Sequence, residues 1–177
     1  MPLPINNSRL TVRNFHPDDA APLLKLAEED ESFPLPLTET DVDQWIESQR
    51  AARFTRSEGG IYLAVELSES KELVGYVLPH YTDRSHNTGG FTLTIIPSRR
   101  RQGLGVEAAR AIIDFLFDGL CVRRVSVSCP GQDTAARRTL EKAGLRQEGE
   151  FIKSWYDGDG WVNLSWYAML KEERPSH

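Results

Sequence analysis

The stretch FTLTIIPSRRRQGLGVEAARAIIDFLF, residues 91–117, carries most of the information about the fold. It begins with an apolar and β-branched run that ends at Pro97, a pattern typical of a strand. From Val106 to Leu116 apolar residues recur at three- and four-residue spacing, which predicts a helix that ends near Asp118. An arginine-rich turn with two glycines joins the two elements. The stretch is therefore predicted to be a strand, a tight turn and a helix.

The turn has the chemistry of an anion site. A turn that leads directly into a helix points successive backbone N–H groups at one spot, and the helix N-terminus adds partial positive charge there. Gly103 and Gly105 allow the backbone to come close to a ligand, and Arg100 and Arg101 add full charges. The turn is predicted to bind a phosphate or a pyrophosphate.

Two other interpretations of the turn stay open from its residues alone. One is an ordinary glycine turn with a solvated basic cluster. The other is a dinucleotide-binding fingerprint, because Gly103, Gly105 and Ala108 satisfy G-x-G-x-x-A and Arg123-Arg124 could accept the extra phosphate of NADP. Against this fingerprint, the motif lies beyond mid-chain, and the next strand, VRRVSVS, offers no acidic residue for a ribose.

Around this unit the pattern predicts strand, two helices, three strands, helix, strand, helix and two strands. The first half reads as a strand at Arg9–Arg13, a helix from Pro17, a second helix from Thr38 toward Phe54, strands IYLAVEL and ELVGYVLPHY, and a polar loop over residues 82–90. The second half reads as a strand VRRVSVS, a helix from Asp133 to Ala143 capped by Gly144, two strands about a DGDG turn, and a mobile tail over residues 171–177. One domain spanning residues 1–177 is expected, with a mixed sheet and helices on both faces.

Composition limits the function classes. The 177 residues are 40% hydrophobic and 27% charged, which is typical of a globular protein, and the net charge of -5 argues against a nucleic-acid partner and suits a cationic substrate. Cys121 and Cys129 read as small core residues, which fits a reducing compartment. No segment has the length of a membrane span or the pattern of a signal peptide, so a cytoplasmic protein with no membrane partner is expected. No metal site is expected.

The motifs and their order resemble those of GNAT-type acetyltransferases. Residues 100–105, RRQGLG, resemble the R/Q-x-x-G-x-G/A pyrophosphate loop of that superfamily, and residues 133–145, DTAARRTLEKAGL, resemble N-x-x-S-x-x-x-x-E-K-x-G-F of its RimJ/RimL-type branch, the ribosomal-protein-alanine acetyltransferases. The opening LTVRNFHPDDAAPL and the ending YDGDGWVNLSWYAML are also similar, so the resemblance covers nearly the whole chain. It implies a GNAT-like α/β (α+β) fold in which a mostly antiparallel mixed sheet, splayed in the middle, is flanked by about four helices.

The same resemblance implies acetyl-CoA as co-substrate and a primary amine, on a protein N-terminus or a small molecule, as acceptor. The implied cofactor-binding residues are Ile95, Ile96 and Pro97 at the end of the central strand, the loop residues Arg100, Arg101, Gln102, Gly103, Leu104, Gly105 and Val106, and Asp133. A backbone amide near Ile95 would stabilise the oxyanion while the amine attacks directly. The protein is expected to be a monomer or a homodimer.

The groups that move protons depart from the family's pattern. Gly90 stands where the family often has a glutamate base, Ala136 stands at its serine, and Leu140 at the tyrosine of other branches. His86 and Tyr156 are the candidates for the missing catalytic groups. The alternative is a non-catalytic sensor that binds acyl-CoA and has lost its acid and base.

Overall fold

The structure is a computed structural model that describes residues 3–29, 41–52, 60–83 and 85–175. Its strands are β1 (Ile5–Asn6), β2 (Leu10–Arg13), β3 (Leu63–Leu67), β4 (Leu73–Asp83), β5 (Thr88–Ile95), β6 (Arg124–Pro130), β7 (Arg146–Tyr156) and β8 (Trp161–Leu170). Its α-helices are α1 (Ala20–Glu29), α2 (Val42–Ala51), α3 (Leu104–Asp114) and α4 (Thr134–Ala143). A π-helical turn, Phe115–Gly119, extends α3.

The eight strands form one mixed sheet in the order β1-β2-β3-β4-β5-β6-β8-β7. Each neighbouring pair is antiparallel except β5 and β6, which are parallel. Because α3 connects β5 to β6, this pair forms a crossover unit inside an otherwise antiparallel sheet. The predicted mostly antiparallel mixed sheet with about four flanking helices is confirmed.

Two separate cores pack on the two faces of the sheet. Helices α3 and α4 bury residues such as Ile112 and Leu140 against one face. Helices α1 and α2 bury Leu23 and Ile46 against the other, together with Tyr76 of β4. Helices therefore cover both faces, as the alternation of predicted elements indicated.

The prediction of a long polar loop over residues 82–90 was wrong. Strand β4 continues to Asp83 and β5 begins at Thr88, so the turn between them is only a few residues long. Gly89 and Gly90 read as turn residues in the sequence, but they lie inside β5. Neighbouring groups approach both glycines closely, and a Cβ on Gly89 would lie 3.1 Å from Val122 Cγ1.

Residues 171–174, the described start of the predicted mobile tail, contact the rest of the domain, and the mobility of the tail stays a prediction. Lys171–Glu173 form a 3-10 turn, and Lys171 Nζ donates to the Phe117 carbonyl oxygen at 3.0 Å. Arg174 Nη1 donates to Asp118 Oδ2 at 2.6 Å and to Asp114 Oδ1 at 3.2 Å. Ion pairs to α3 and its extension thus hold the segment in place.

Of the remaining predictions about local structure, some are confirmed and others are wrong. Asp133 caps α4, and Gly144 closes it with a left-handed φ of 105°, as predicted. Cys129 is buried, but Cys121 is exposed and is not a core residue. The predicted helix start at Thr38 lies outside the described residues. Among the described helices, none is long and apolar enough to cross a membrane.

A buried ion-pair network joins β2 to the turn before α1. Arg13 donates to both oxygens of Asp19, at 2.6 and 2.8 Å, and to Glu66 Oε2 at 2.7 Å. Burial alone would raise the pKa of Asp19, but the hydrogen bonds from Arg13 and from the His16 backbone outweigh it and lower that pKa. The stabilisation from Asp19 is therefore complete above its unfolded pKa of about 3.9 and is lost as the pH falls through the lower folded value.

Replacement of Asp19 with asparagine tests this network. The variant Asp19→Asn is expected to lower the free energy of unfolding at pH 7 by about 2 kcal/mol, because Arg13 loses a buried anionic partner. It should also weaken the dependence of stability on pH below about pH 4. Urea unfolding at several pH values measures both effects. Asp18→Asn, which changes an adjacent exposed carboxylate, is the matched control, and an equal loss in that variant would contradict the role of the network.

Candidate active site

A gap opens between the parallel strands β5 and β6. Their register contains two pairs, Thr88 with Arg124 and Gly89 with Val125, and within residues 85–175 no further pair follows. Both strands continue past this point, β5 to Ile95 and β6 to Pro130. The sheet is therefore splayed in the middle, as predicted, and the unpaired stretches of β5 and β6 lie toward their carboxyl ends.

The backbone of β5 presents polar groups to this gap. Ile96 N–H donates to the Val74 carbonyl oxygen on β4 at 3.0 Å, so the neighbouring pair of Gly75 and Ile95 is a non-hydrogen-bonded pair. The backbone groups of Ile95 consequently point away from β4, toward β6. The backbone N–H and C=O groups of Leu93, two residues earlier in the strand, point in the same direction. Ile95 N–H is thus placed to donate to a substrate in the gap.

Hydrogen bonds within the protein already occupy some of the main-chain groups of Ile95, Ile96 and Pro97 that were predicted to contact the cofactor. Besides its N–H bond to β4, Ile96 has a carbonyl oxygen that accepts from Arg99 N–H at 3.0 Å. Pro97 opens a 3-10 turn and has no N–H. The Ile95 carbonyl oxygen accepts from Arg100 Nε at 2.7 Å. Of these three predicted residues, Ile95 alone keeps a main-chain N–H for a ligand.

The turn into α3 carries a row of unsatisfied donors. Arg101 has a φ of 62° and Gly103 a φ of 82°, so the chain bends twice into the left-handed region. Within the described part of the chain, the N–H groups of residues 101–105 donate to no protein acceptor, whereas Val106 N–H already donates to the Gly103 carbonyl oxygen. Five consecutive free donors at a helix N-terminus make this loop a candidate anion site.

Arg9, from the turn before β2, supports this loop. Its Nη1 donates to the Gln102 carbonyl oxygen at 3.0 Å, and its Nε donates to Glu107 Oε1 at 2.7 Å. Asn7 Nδ2 donates to the Glu107 carbonyl oxygen at 3.1 Å. These bonds connect the loop and the first turn of α3 to the segment before β2. Sequence reasoning missed Arg9, because nothing in the local pattern links it to residues nearly a hundred positions later.

The three arginines of the turn have different environments. Arg99 forms two bonds with Glu72, at 2.9 and 2.5 Å, and is thereby directed to the turn between β3 and β4. Arg100 uses Nε to hold the Ile95 carbonyl oxygen. Arg101 is exposed, and no hydrogen bond or ion pair of its side chain is found within the described residues. Arg101 is therefore the cation of the turn that is available to a phosphate.

Helix α4 brings a second N-terminus to the same edge of the sheet, since it follows β6 as α3 follows the loop after β5. Asp133 Oδ1 accepts from Ala136 N–H at 2.9 Å and caps this helix. The predicted contact of Asp133 with a cofactor arm would use its other oxygen. Burial raises the pKa of the nearby Cys129 to about 11, so this thiol stays protonated at neutral pH and is not a nucleophile.

The two predicted catalytic residues lie at opposite ends of the sheet. His86 lies in the exposed turn between β4 and β5, where Nδ1 is 2.8 Å from Asp83 Oδ2. The hydrogen bond from His86 lowers the pKa of Asp83. The paired residues Thr88 and Gly89 separate this turn from the gap. Tyr156 lies at the tip of the β7–β8 hairpin against Trp161, with ring centroids 5.7 Å apart. Their catalytic roles stay predictions.

A different histidine lies where the gap opens. His80 of β4 is the cross-strand partner of Gly90, so both residues face the same side of the sheet. A Cβ on Gly90 would lie 3.3 Å from His80 Nε2. Sequence reasoning missed His80. Only the register of the β4–β5 hairpin places it beside Gly90, and the wrongly predicted loop over residues 82–90 left that register out.

A cavity of about 620 Å³ lies beside the anion site but is distinct from the gap. It is enclosed by α1, by the turn between β3 and β4, and by the end of β5, with Lys25, Leu73 and Ile96 in its wall. Because the free N–H groups over residues 101–105 and at Ile95 face the gap, the gap and not this cavity is the candidate active site.

Comparisons with known proteins identify the family of the chain. Residues 9–146, more than half of the chain, match the acetyltransferase (GNAT) domain. The uncharacterized N-acetyltransferase YnaD of Bacillus subtilis is 28% identical over 109 residues, which are 62% of this chain and 64% of YnaD. The chain thus spans just under two thirds of the length of that relative.

Solved structures show the same architecture. A GNAT-family acetyltransferase from Bacillus anthracis is 25% identical, with a TM-score of 0.79 over 96% of this chain and 99% of that protein. The ribosomal-protein-S5-alanine acetyltransferase of Vibrio fischeri has the same TM-score at 15% identity, over 98% of this chain and 100% of that protein. The second likeness concerns the fold alone.

Proposed function

Because this chain belongs to the acetyltransferase (GNAT) family, we propose that it transfers an acetyl group from acetyl-CoA to a primary amine. The observation that carries the proposal is the row of free N–H groups over residues 101–105 at the mouth of the gap. A pyrophosphate has the charge and the acceptor oxygens that such a row binds. A pantetheine arm attached to it would reach into the gap beside β5.

The chemistry follows from the open strand edge. The thioester lies in the gap, where Ile95 N–H donates to the carbonyl oxygen as negative charge develops on it. The amine attacks the acetyl carbon directly, so no acyl-enzyme is needed and no nucleophilic side chain is required. The buried Cys129, whose pKa is raised to about 11, fits this direct route.

The acceptor enters from the face of the sheet on which α1 and α2 pack. Beyond those helices the face is lined by hydroxyl groups of β5 and β6, among them Thr92, Thr94 and Ser128, which are partly or fully exposed. The net charge of -5 favours a cationic acceptor. We propose that the acceptor is a protein N-terminus or a small-molecule amine, and that a cytoplasmic monomer or homodimer carries out the reaction.

A thiol-release assay tests the proposal. Acetyl-CoA is incubated with the protein and with N-terminal peptides beginning with alanine or serine, polyamines, and aminated small molecules. We expect one class to release CoA thiol, with one acetylated amine, identified by mass spectrometry, for each thiol. Acetyl-CoA binding without turnover on any acceptor would overturn the proposed acetyltransferase activity and favour a sensor.

The sensor is the second candidate, and the site gives it a specific basis. Gly90, Ala136 and Leu140 supply none of the acid or base groups that the family resemblance implies at their positions. The NADP-dependent oxidoreductase is not proposed, since a dinucleotide fold needs a mostly parallel sheet and β5–β6 is the one parallel pair among the described strands.

A further inference from the structure

No side chain can occupy the position from which the family resemblance implies a base. A Cβ on Gly90 would lie 2.5 Å from the Ser126 carbonyl oxygen and 3.0 Å from Thr82 Cγ2. The first contact is with the backbone of β6, so the strands themselves would have to move. A proton acceptor for this site would therefore have to be a residue other than the one at position 90.

His80 is the residue that the register places beside this position. It pairs with Gly90 across the β4–β5 ladder and shares its face of the sheet. Its Nε2 lies 3.3 Å from the point where a Gly90 Cβ would be. The imidazole therefore lies beside Gly90, where the pairing of β5 with β6 ends.

The hydrogen bonding of His80 fixes which nitrogen can act. Nδ1 lies 3.1 Å from the Leu78 carbonyl oxygen, and a carbonyl can only accept, so the neutral ring carries its hydrogen on Nδ1. Nε2 then has a free lone pair, and within the described residues it has no hydrogen-bond donor. A neutral imidazole with a fixed tautomer and an open Nε2 is prepared to accept a proton.

We propose that His80 is the general base of this site, an inference that rests on the proposed acetyl transfer. Nε2 takes one proton from the attacking nitrogen through a chain of waters along the exposed Thr92 face of β5, because five residues of strand, about 16 Å, separate Gly90 from Ile95. The C–N bond forms, the C–S bond breaks, and the thiolate leaves with its electron pair. The thiolate then takes up a proton that His80 returns through water, so the products are the amide and free CoA thiol.

The test compares His80→Gln and His80→Ala with the wild type in the thiol-release assay, on a strongly basic amine and on a weakly basic one. Glutamine at position 80 can still donate a hydrogen bond to the Leu78 carbonyl oxygen. His80→Gln therefore keeps this local contact even if His80→Ala loses it and fails to fold. We expect kcat/KM for the strongly basic amine to fall about 100-fold, with the dissociation constant of acetyl-CoA unchanged. The loss should shrink to less than about tenfold for an amine that is already neutral, and added imidazole should partly restore His80→Ala.

Two further variants complete the design. His16→Gln removes a histidine from the turn before α1 and is the control for a general effect of histidine loss. His86→Gln tests the rival base. Unimpaired turnover in His80→Gln, or an equal loss for both amines, would overturn the role of His80 while the acetyl transfer stood. A wild type that binds acetyl-CoA and acetylates no amine would overturn both.

Discussion

Replacement of Gly103 by valine is expected to weaken acetyl-CoA binding about 30-fold. Gly103 has a φ of 82°, and a Cβ there would lie 3.2 Å from Arg9 Nη2, the side chain that supports the loop. A β-branched residue avoids this region, so the loop will rotate and two or more N–H groups will lose their alignment on the pyrophosphate. Loss of two hydrogen bonds to the pyrophosphate corresponds to about 2 kcal/mol of binding free energy, which is about a 30-fold loss of affinity. Titration calorimetry measures it directly.

Gly158→Val provides the matched control. Gly158, in the β7–β8 turn, has a φ of 108°, and no described atom lies within 4 Å of the position of its Cβ. Both variants should lose about 2 kcal/mol of stability through backbone strain. Only Gly103→Val should lose affinity for acetyl-CoA. An equal loss of affinity in the two variants would show that strain, rather than the loop, determines binding.

Gly90→Ala is expected to lower the free energy of unfolding by about 3 kcal/mol and to abolish turnover. The new methyl group would lie 2.5 Å from the Ser126 carbonyl oxygen, so β5 and β6 must separate at the point where the gap begins. It would also press on His80 Nε2 at 3.3 Å. Urea unfolding measures the loss of stability, and thiol release measures the activity.

The control for this variant is Gly149→Ala. Gly149 also lies in a strand, β7, but no described atom comes within 4 Å of its Cβ position. Alanine there should leave stability unchanged or raise it slightly, because it restricts the unfolded chain. If Gly90→Ala were as stable as Gly149→Ala, the close approach of β6 to Gly90 would be refuted.

The parts of the fold that were predictable from sequence are those determined by local signals. Asp133 and Gly144 mark the ends of α4 because a side-chain cap and a left-handed residue act within a few positions of the chain. Gly103 marks the start of α3 for the same reason. The turn before α3 combines such local signals, and its place between β5 and α3 was predictable from them, whereas its binding of an anion stays a prediction.

Features that depend on long-range contacts were not predictable in this way. Gly90 lies inside a strand because Ser126, on β6, approaches its Cα, and the sequence around Gly90 shows only two glycines that resemble a turn. His80 belongs to the site through the β4–β5 register. Arg174 holds the tail through ion pairs with α3 and its extension, a contact that no local pattern indicates.

The most direct test of the account is a titration of the ¹⁵N-labelled protein with acetyl-CoA, followed by amide chemical shifts. We expect the amides of residues 101–105 and of Ile95 to shift most, because those N–H groups would donate to the bound pyrophosphate and thioester. Residues around the separate cavity, such as Lys25 and Leu73, should change little. Large shifts at that cavity, with residues 101–105 unchanged, would contradict the assignment of the loop and the gap as the active site.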